Sequence, residues 1–204
     1  QEALENIEAL SKDFPNNPLL LNISGVCYAG LSLMDDAVKS YEKAVAIKPD
    51  YADAHYNLGN ILRDLGELDG AIKSYAKTIE IMPEYNEAQY NLGATLQQLG
   101  QLHEAIEQYE KALSINPENT DLILNLGFIY QDLGQIDEAI EQYNKAQILD
   151  PDNAKVLNNL AVLFNDLGQV DKAIKYCKKA LAIKPDYADA YYNLGFIYQD
   201  LGQV

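Results

Sequence analysis

The sequence predicts an all-α protein, a solenoid of antiparallel helix pairs, and two observations carry that prediction. The first is a period. Proline stands at Pro15, Pro49, Pro83, Pro117, Pro151 and Pro185, each 34 residues after the last, and these six belong to a chain with seven prolines in all. The second is that each period holds two apolar stripes at helical spacing. In the stretch 90–117, Leu92, Gly93 and Leu96 share one helical face, and Ala105, Tyr109 and Ala112 at i, i+4 and i+7 share another. One such hairpin buries too little apolar surface to stand alone, so the units must stack.

Taken in order, residues 1–17 are a half unit. Over 1–14 they form a second helix without a first, with Ala3, Ile7 and Leu10 on the buried stripe and Pro15 as the stop. Five full units follow, at 18–51, 52–85, 86–119, 120–153 and 154–187. A closing half unit, 188–204, holds a first helix over 188–201, which makes twelve helices in a single array 1–204. Within a unit the first helix ends at a Leu-Gly pair such as Leu99-Gly100, where glycine can close a helix in the left-handed conformation. The eighth place of each unit is small (Gly25, Gly59, Gly93, Gly127, Ala161, Gly195), which lets the two backbones approach. The matching place on the second helix is Tyr41, Tyr75, Tyr109 and Tyr143, then Cys177.

The 34-residue helix–turn–helix unit, with its Leu-Gly pair, aromatic, alanine and closing proline, resembles the tetratricopeptide repeat family over essentially the whole chain. Departures lie at the family's Trp site (Leu21, His55, Gln89, Ile123, Leu157, Tyr191) and at Ser24, Thr78 and Cys177; they alter local packing and leave the fold expectation intact. The resemblance implies a right-handed superhelix whose first helices line a concave surface with their second, fifth, sixth, ninth, twelfth and thirteenth residues. It implies a protein–protein interaction scaffold rather than an enzyme.

On that implied face the sixth place reads Asn57, Asn91, Asn125, Asn159 and Asn193, broken by Ile23. Asparagine carries both donors and an acceptor, so a ladder of them can bond an extended backbone of any sequence; the alternative is that each bonds the backbone of the neighbouring repeat. Beside it stand Tyr56, Tyr90 and Tyr192 at the fifth place and Phe128 and Phe196 at the ninth. Such aromatics either anchor an interface or pack between helices. The thirteenth place is Asp64, Asp132, Asp166 and Asp200, opposed on this face by Arg63 and Lys155. The expected groove is therefore acidic and lined with asparagine and tyrosine, and its expected partner is a basic or aromatic segment of another protein. A clamp of lysine and arginine for a terminal carboxylate, known in chaperone-binding members, does not fit these residues. The asparagine ladder is similar to the superhelical arm of O-linked N-acetylglucosamine transferases, so a substrate-recruiting arm of a larger enzyme is a further expectation.

Charge and composition bound the rest. Net charge is −16, from 31 acidic and 15 basic residues in 204. A surface so acidic is poorly suited to nucleic-acid phosphates or anionic membranes. Its apolar runs are far shorter than a membrane span, and its opening residues are acidic and amphipathic rather than signal-like. Cys27 and Cys177 fall on buried stripes, which predicts core thiols and a cytoplasmic setting. No nucleophile, phosphate-loop or zinc motif stands out: His55 and His103 are isolated, and no catalytic residue, metal or cofactor is expected.

The stretch AIKPDYADAHYNLG at 46–59 returns at 182–195 with only His55 changed, to Tyr191, which suggests recent duplication. Both ends fall inside a unit, and the register would continue from Val204 into Gln1 of another copy. The sequence therefore predicts a segment of a longer array and head-to-tail self-association, helix 188–201 with its stripe Leu194, Tyr198 and Leu201 meeting helix 1–14.

Overall fold

In a computed structural model the described residues are Ile7, Leu10 and 13–202. Ile7, Leu10 and Asp13 are helical, within the stretch expected as the first of twelve helices; Ala3 lies outside the described residues. Eleven helices with described bounds follow. The first helices of the units are α1 (Pro18–Gly30), α3 (Ala52–Asp64), α5 (Asn86–Gln98), α7 (Thr120–Asp132), α9 (Ala154–Asp166) and α11 (Ala188–Asp200). The second helices are α2 (Met34–Ile47), α4 (Leu68–Ile81), α6 (Leu102–Ile115), α8 (Ile136–Leu149) and α10 (Val170–Ile183). Among the described residues there is no strand.

The chain divides into two compact units, Gln1–Ile115 and Asn116–Val204. In the first, α1 packs on α2, α3 on α4 and α5 on α6, while α2 meets α3 and α4 meets α5. In the second, α7 packs on α8 and α9 on α10, with α8 against α9 and α10 against α11. Successive first helices also touch, α1 with α3 and α3 with α5, then α7 with α9 and α9 with α11. Those contacts create the face on which the candidate site lies.

The core follows the predicted stripes. Ala37, Ala71, Ala105, Ala139 and Ala173 have no accessible surface, and Tyr41, Tyr75, Tyr109 and Tyr143 lie within the same seams. The eighth-place glycine is set by its tyrosine. A Cβ on Gly127 would sit 2.5 Å from Cε1 of Tyr143, closer than any van der Waals contact allows. Burial pushes the hydroxyls of Tyr41 and Tyr75 up to about 12. In 154–187 the pair is Ala161 and Cys177, both fully buried.

The Trp-site departures have physical work of their own. His55 Nε2 lies 3.0 Å from the carbonyl of Pro49, and Gln89 Nε2 donates to the carbonyl of Pro83 at 2.8 Å. A polar side chain here satisfies a carbonyl left over after the preceding helix. Thr78, where alanine was expected, is buried and donates to the carbonyl of Ser74 at 3.0 Å, a bond within its own helix that hides its hydroxyl. N-caps are made by Asn17, Asn119 and Asn153. At the turn after every first helix except α1, where Ser32 takes the place, a glycine takes positive φ, +76° at Gly100, and the N–H of Gln101 reaches back to the carbonyl of Leu96 at 2.9 Å.

Candidate peptide-binding face

Three of the sixth-place asparagines, Asn57, Asn91 and Asn193, tie a first helix to the one before it. Asn57 Nδ2 donates to Asn22 Oδ1 at 3.1 Å, and Asn193 Nδ2 donates to Asn158 Oδ1 at 2.9 Å. Each bond runs to the fifth place of the preceding repeat. Asn91 Nδ2 is shared between Asn60 Oδ1 at 3.0 Å and the hydroxyl of Tyr56 at 3.2 Å, while its Oδ1 accepts Arg63 Nη1 at 3.1 Å. Asn159 makes no side-chain hydrogen bond among the described residues, and Asn125 makes none within its own unit; both are half-buried. Three of the five, Asn57, Asn91 and Asn193, therefore bond neighbouring side chains, whereas the sequence suggested either a ligand's backbone or a neighbour's. Their donors face the preceding helix, and the carbonyl oxygens of Asn57 and Asn193 keep their acceptor capacity.

The tyrosines differ among themselves. Tyr56 is half-buried, with the ring of Tyr85 at 4.9 Å and that of Tyr75 at 6.1 Å between centroids. Tyr90 is also half-buried and lies 5.9 Å from Tyr109. Both rings thus serve packing on one side. Burial first, then the Asp53 carboxylate, pushes the Tyr85 hydroxyl up to about 12. Tyr192 is 74% exposed, and Phe128 and Phe196 are each 47% exposed, a large apolar area to leave in water.

The carboxylates Asp64, Asp132 and Asp166 are all exposed. Asp64 pairs with Arg63 Nη2 at 3.6 Å, and Asp166 Oδ2 accepts Gln131 Nε2 at 3.0 Å. Gln131 in turn accepts the buried hydroxyl of Tyr143 at 3.1 Å through Oε1. Val162, Asn165, Asp166, Tyr192, Asn193 and Phe196, with Ile197 at the floor, enclose a cleft of about 210 Å3 between α9 and α11. Asn22, Asn60, Asn158, Gln131 and Asn165 were not singled out from the sequence. The signal that could have found them is polar residues recurring at the fifth, ninth and twelfth places, on the same first helices as the ladder. Among the described residues no three His, Cys, Asp or Glu side chains gather as a metal site, and no helix is long and apolar enough to cross a membrane.

The helix pairs, their glycine–tyrosine seams and their bonded first helices define a repeat scaffold. The chain belongs to the tetratricopeptide repeat family: tetratricopeptide repeat models match residues 50–118 and 96–163, and a TPR repeat model matches 34–62 and 163–202. Solved structures share the fold. YrrB, described as a TPR protein with an unusual peptide-binding site, superposes with a TM-score of 0.80 at 23% identity over 93% of this chain and 98% of its own. MamA superposes with a TM-score of 0.76 at 27% identity, over 80% of this chain and 96% of its own. A tetratricopeptide repeat protein from Parabacteroides merdae gives 0.84 at 20% identity, over 91% and 74%. No curated protein sequence matches the chain.

Proposed function

We propose that this protein is a protein-interaction scaffold, and that the face made by its first helices holds an extended segment of a partner protein rich in basic or aromatic residues. The observation that carries the reading is the row of exposed side chains on that face. In the second unit Asp132 and Asp166 are exposed on the same helices as, or helices neighbouring, the exposed rings Phe128, Tyr192 and Phe196, and the Asn193–Asn158 bond ties α11 to α9; in the first unit Asp64 is exposed and the Asn57–Asn22 bond ties α3 to α1. Carboxylates beside uncovered rings suit cations carried on apolar stems. The peptide-binding description of YrrB accords with this use of the fold. Calorimetric titration of Lys/Arg-rich and Asp/Glu-rich peptides at two salt concentrations tests it. The basic set should bind more tightly and weaken as salt rises; a preference for the acidic set would sink the reading.

Self-association through residues 1–14 and 188–201 is the second reading, favoured by the exposure of Tyr191 and Leu201 on and beside α11. Sedimentation over a concentration series should show a growing heavier species, and an invariant monomer rules it out. A cytoplasmic location is supported by the two free thiols, Cys27 and Cys177.

A further inference from the structure

The two units carry the same acidic corner, filled in one and open in the other. In the first unit Asp64 and Asn91 stand across the α3–α5 seam. Between them lies a guanidinium from the chain itself: Arg63 Nη1 donates to Asn91 Oδ1 at 3.1 Å, and Nη2 lies 3.6 Å from Asp64 Oδ1. In the second unit Asp166 and Asn193 occupy the equivalent places across the α9–α11 seam. Asn193 is turned the same way as Asn91. Its Nδ2 donates to the fifth-place Asn158 as that of Asn91 donates to the fifth-place Tyr56, which leaves each Oδ1 on the far side of the amide from that bond. Gln131 takes only Oδ2 of Asp166. The residue at Arg63's place is Asn165, too short to bridge the corner, and a cleft of about 210 Å3 opens there.

We infer that this cleft is the receptor for an arginine side chain of the partner segment, which supplies in trans the guanidinium that Arg63 supplies in cis. This rests on the reading of the first-helix face as a peptide site. The walls fit the rest of the side chain. Where the first unit has Asn60 and Ala94, the second has Val162 and Phe196, an apolar channel for the methylene stem and a ring over which a planar cation can lie. A forked donor can reach the Asn193 carbonyl oxygen and the Asp166 carboxylate together, which a lysine ammonium does less well. No cation of the chain competes from these helices: by sequence, Lys155 is the only basic residue of α7, α9 and α11, and it lies three turns from Asp166.

The test uses the whole chain and N-acetyl-arginine amide as probe, followed by two-dimensional amide NMR. Shifts should concentrate at 162–166 and 192–197 and saturate in the millimolar range expected of one side chain, roughly −4 kcal/mol. N-acetyl-citrulline amide, isosteric and uncharged, should bind about ten-fold more weakly. Asn165→Arg should fill the corner from within and abolish the shifts, and Asp166→Asn should weaken binding about as much as citrulline does. Arg63→Asn should open a second site reported at Asp64 and Asn91. Equal shifts with citrulline, or unchanged binding to both Asn165→Arg and Asp166→Asn, would overturn the inference. Peptides that occupy the face with no gain from arginine would overturn it too while leaving the scaffold reading in place. Arginine bound at this cleft, with no longer peptide gaining affinity, would instead remove the scaffold reading and keep the cleft.

Discussion

The hairpin of α7 and α8 and the hairpin of α9 and α10 meet the same packing problem with opposite residues. In the first, Gly127 lies under the ring of Tyr143, whose hydroxyl donates to Gln131. In the second, the small residue has gained a methyl, Ala161, and the ring opposite has shrunk to Cys177. The aromatic volume has not vanished. It reappears one place earlier, at Tyr176, stacked on Phe164 at 5.5 Å and 6° between planes, with Ala161, Cys177 and Ile197 in the cluster beside it. The small residue and the aromatic are thus one packing element, and either member changes only with the other.

The largest effect should come from breaking that element. Tyr143→Cys leaves Gly127 facing a void and should cost about 3–5 kcal/mol, the range for deleting a buried ring. Adding Gly127→Ala should recover about 1–2 kcal/mol, since the methyl refills space and alanine favours the helix. The reciprocal change is informative as well. Cys177→Tyr should overpack by about 1–3 kcal/mol, and Ala161→Gly should relieve it. Urea denaturation of the four variants checks the set. If the paired substitutions merely add, the two positions are independent and the comparison fails.

The same contrast has a pH signature. Burial pushes the Cys177 thiol from its ordinary 9.0 up to about 11. A raised thiol favours the folded state while it stays protonated. That contribution is complete below pH 9, where the unfolded chain is also protonated, and is lost as pH rises from 9 through 11. Midpoints of urea unfolding should therefore fall between pH 8.5 and 10.5 by more in the parent chain than in Cys177→Ala. Equal slopes would show that the thiol is not held protonated by burial. Cys27 is only half-buried, so a thiol reagent at pH 8 should modify it before Cys177.

Much of this was legible in the sequence, and the limit is physical. The 34-residue period, the glycine turns and the alanine seams follow from spacing and from what proline and glycine can do, so the helices fall where the pattern puts them. The asparagine ladder was legible as a row and not as a set of bonds. Whether Asn91 faces a ligand or a neighbour depends on what lies one turn away on the adjacent helix, and the period hides that because each repeat differs there. Asn22, Tyr56 and Asn158 occupy the same fifth place, and they accept the next asparagine through an amide oxygen at Asn22 and Asn158 but through the hydroxyl at Tyr56. The meaning of Arg63 was hidden for the same reason: in sequence it was a stray cation on an acidic face, and in space it completes a corner that Asn165 leaves open.

Two members of the ladder should accordingly part company. Asn91→Ala removes bonds to Asn60, Tyr56 and Arg63 and leaves Arg63 with Asp64 alone, and should cost about 1–2 kcal/mol net of alanine's better helix propensity. Asn159→Ala removes no described hydrogen bond, so its thermal midpoint should stay level or rise slightly. Equal losses at both positions would mean that the ladder is held by something other than these bonds.

The smallest effect expected concerns the first turn. After α3, α5, α7 and α9 the chain turns through a left-handed glycine, at Gly66, Gly100, Gly134 and Gly168 with φ between +70° and +79°. After α1 the same place is Ser32, at φ +60°. The hydrogen bonds of the turn are kept there: Leu33 N–H reaches the Tyr28 carbonyl at 2.9 Å, as Gln101 reaches Leu96. Only the Cβ is new, and in the left-handed region it crowds the following carbonyl at a cost of roughly 1 kcal/mol. Ser32→Gly should remove that strain but gives the unfolded chain more freedom, so the net gain should be about 0.5 kcal/mol. Gly100→Ser should lose a similar amount. Because the turn is local, hydrogen exchange at Leu33 and Gln101 should report the two changes with opposite signs. If Ser32→Gly slows nothing at Leu33, the serine has found a strain-free conformation of its own, and the first turn is an equal alternative to the glycine turns rather than a weaker copy.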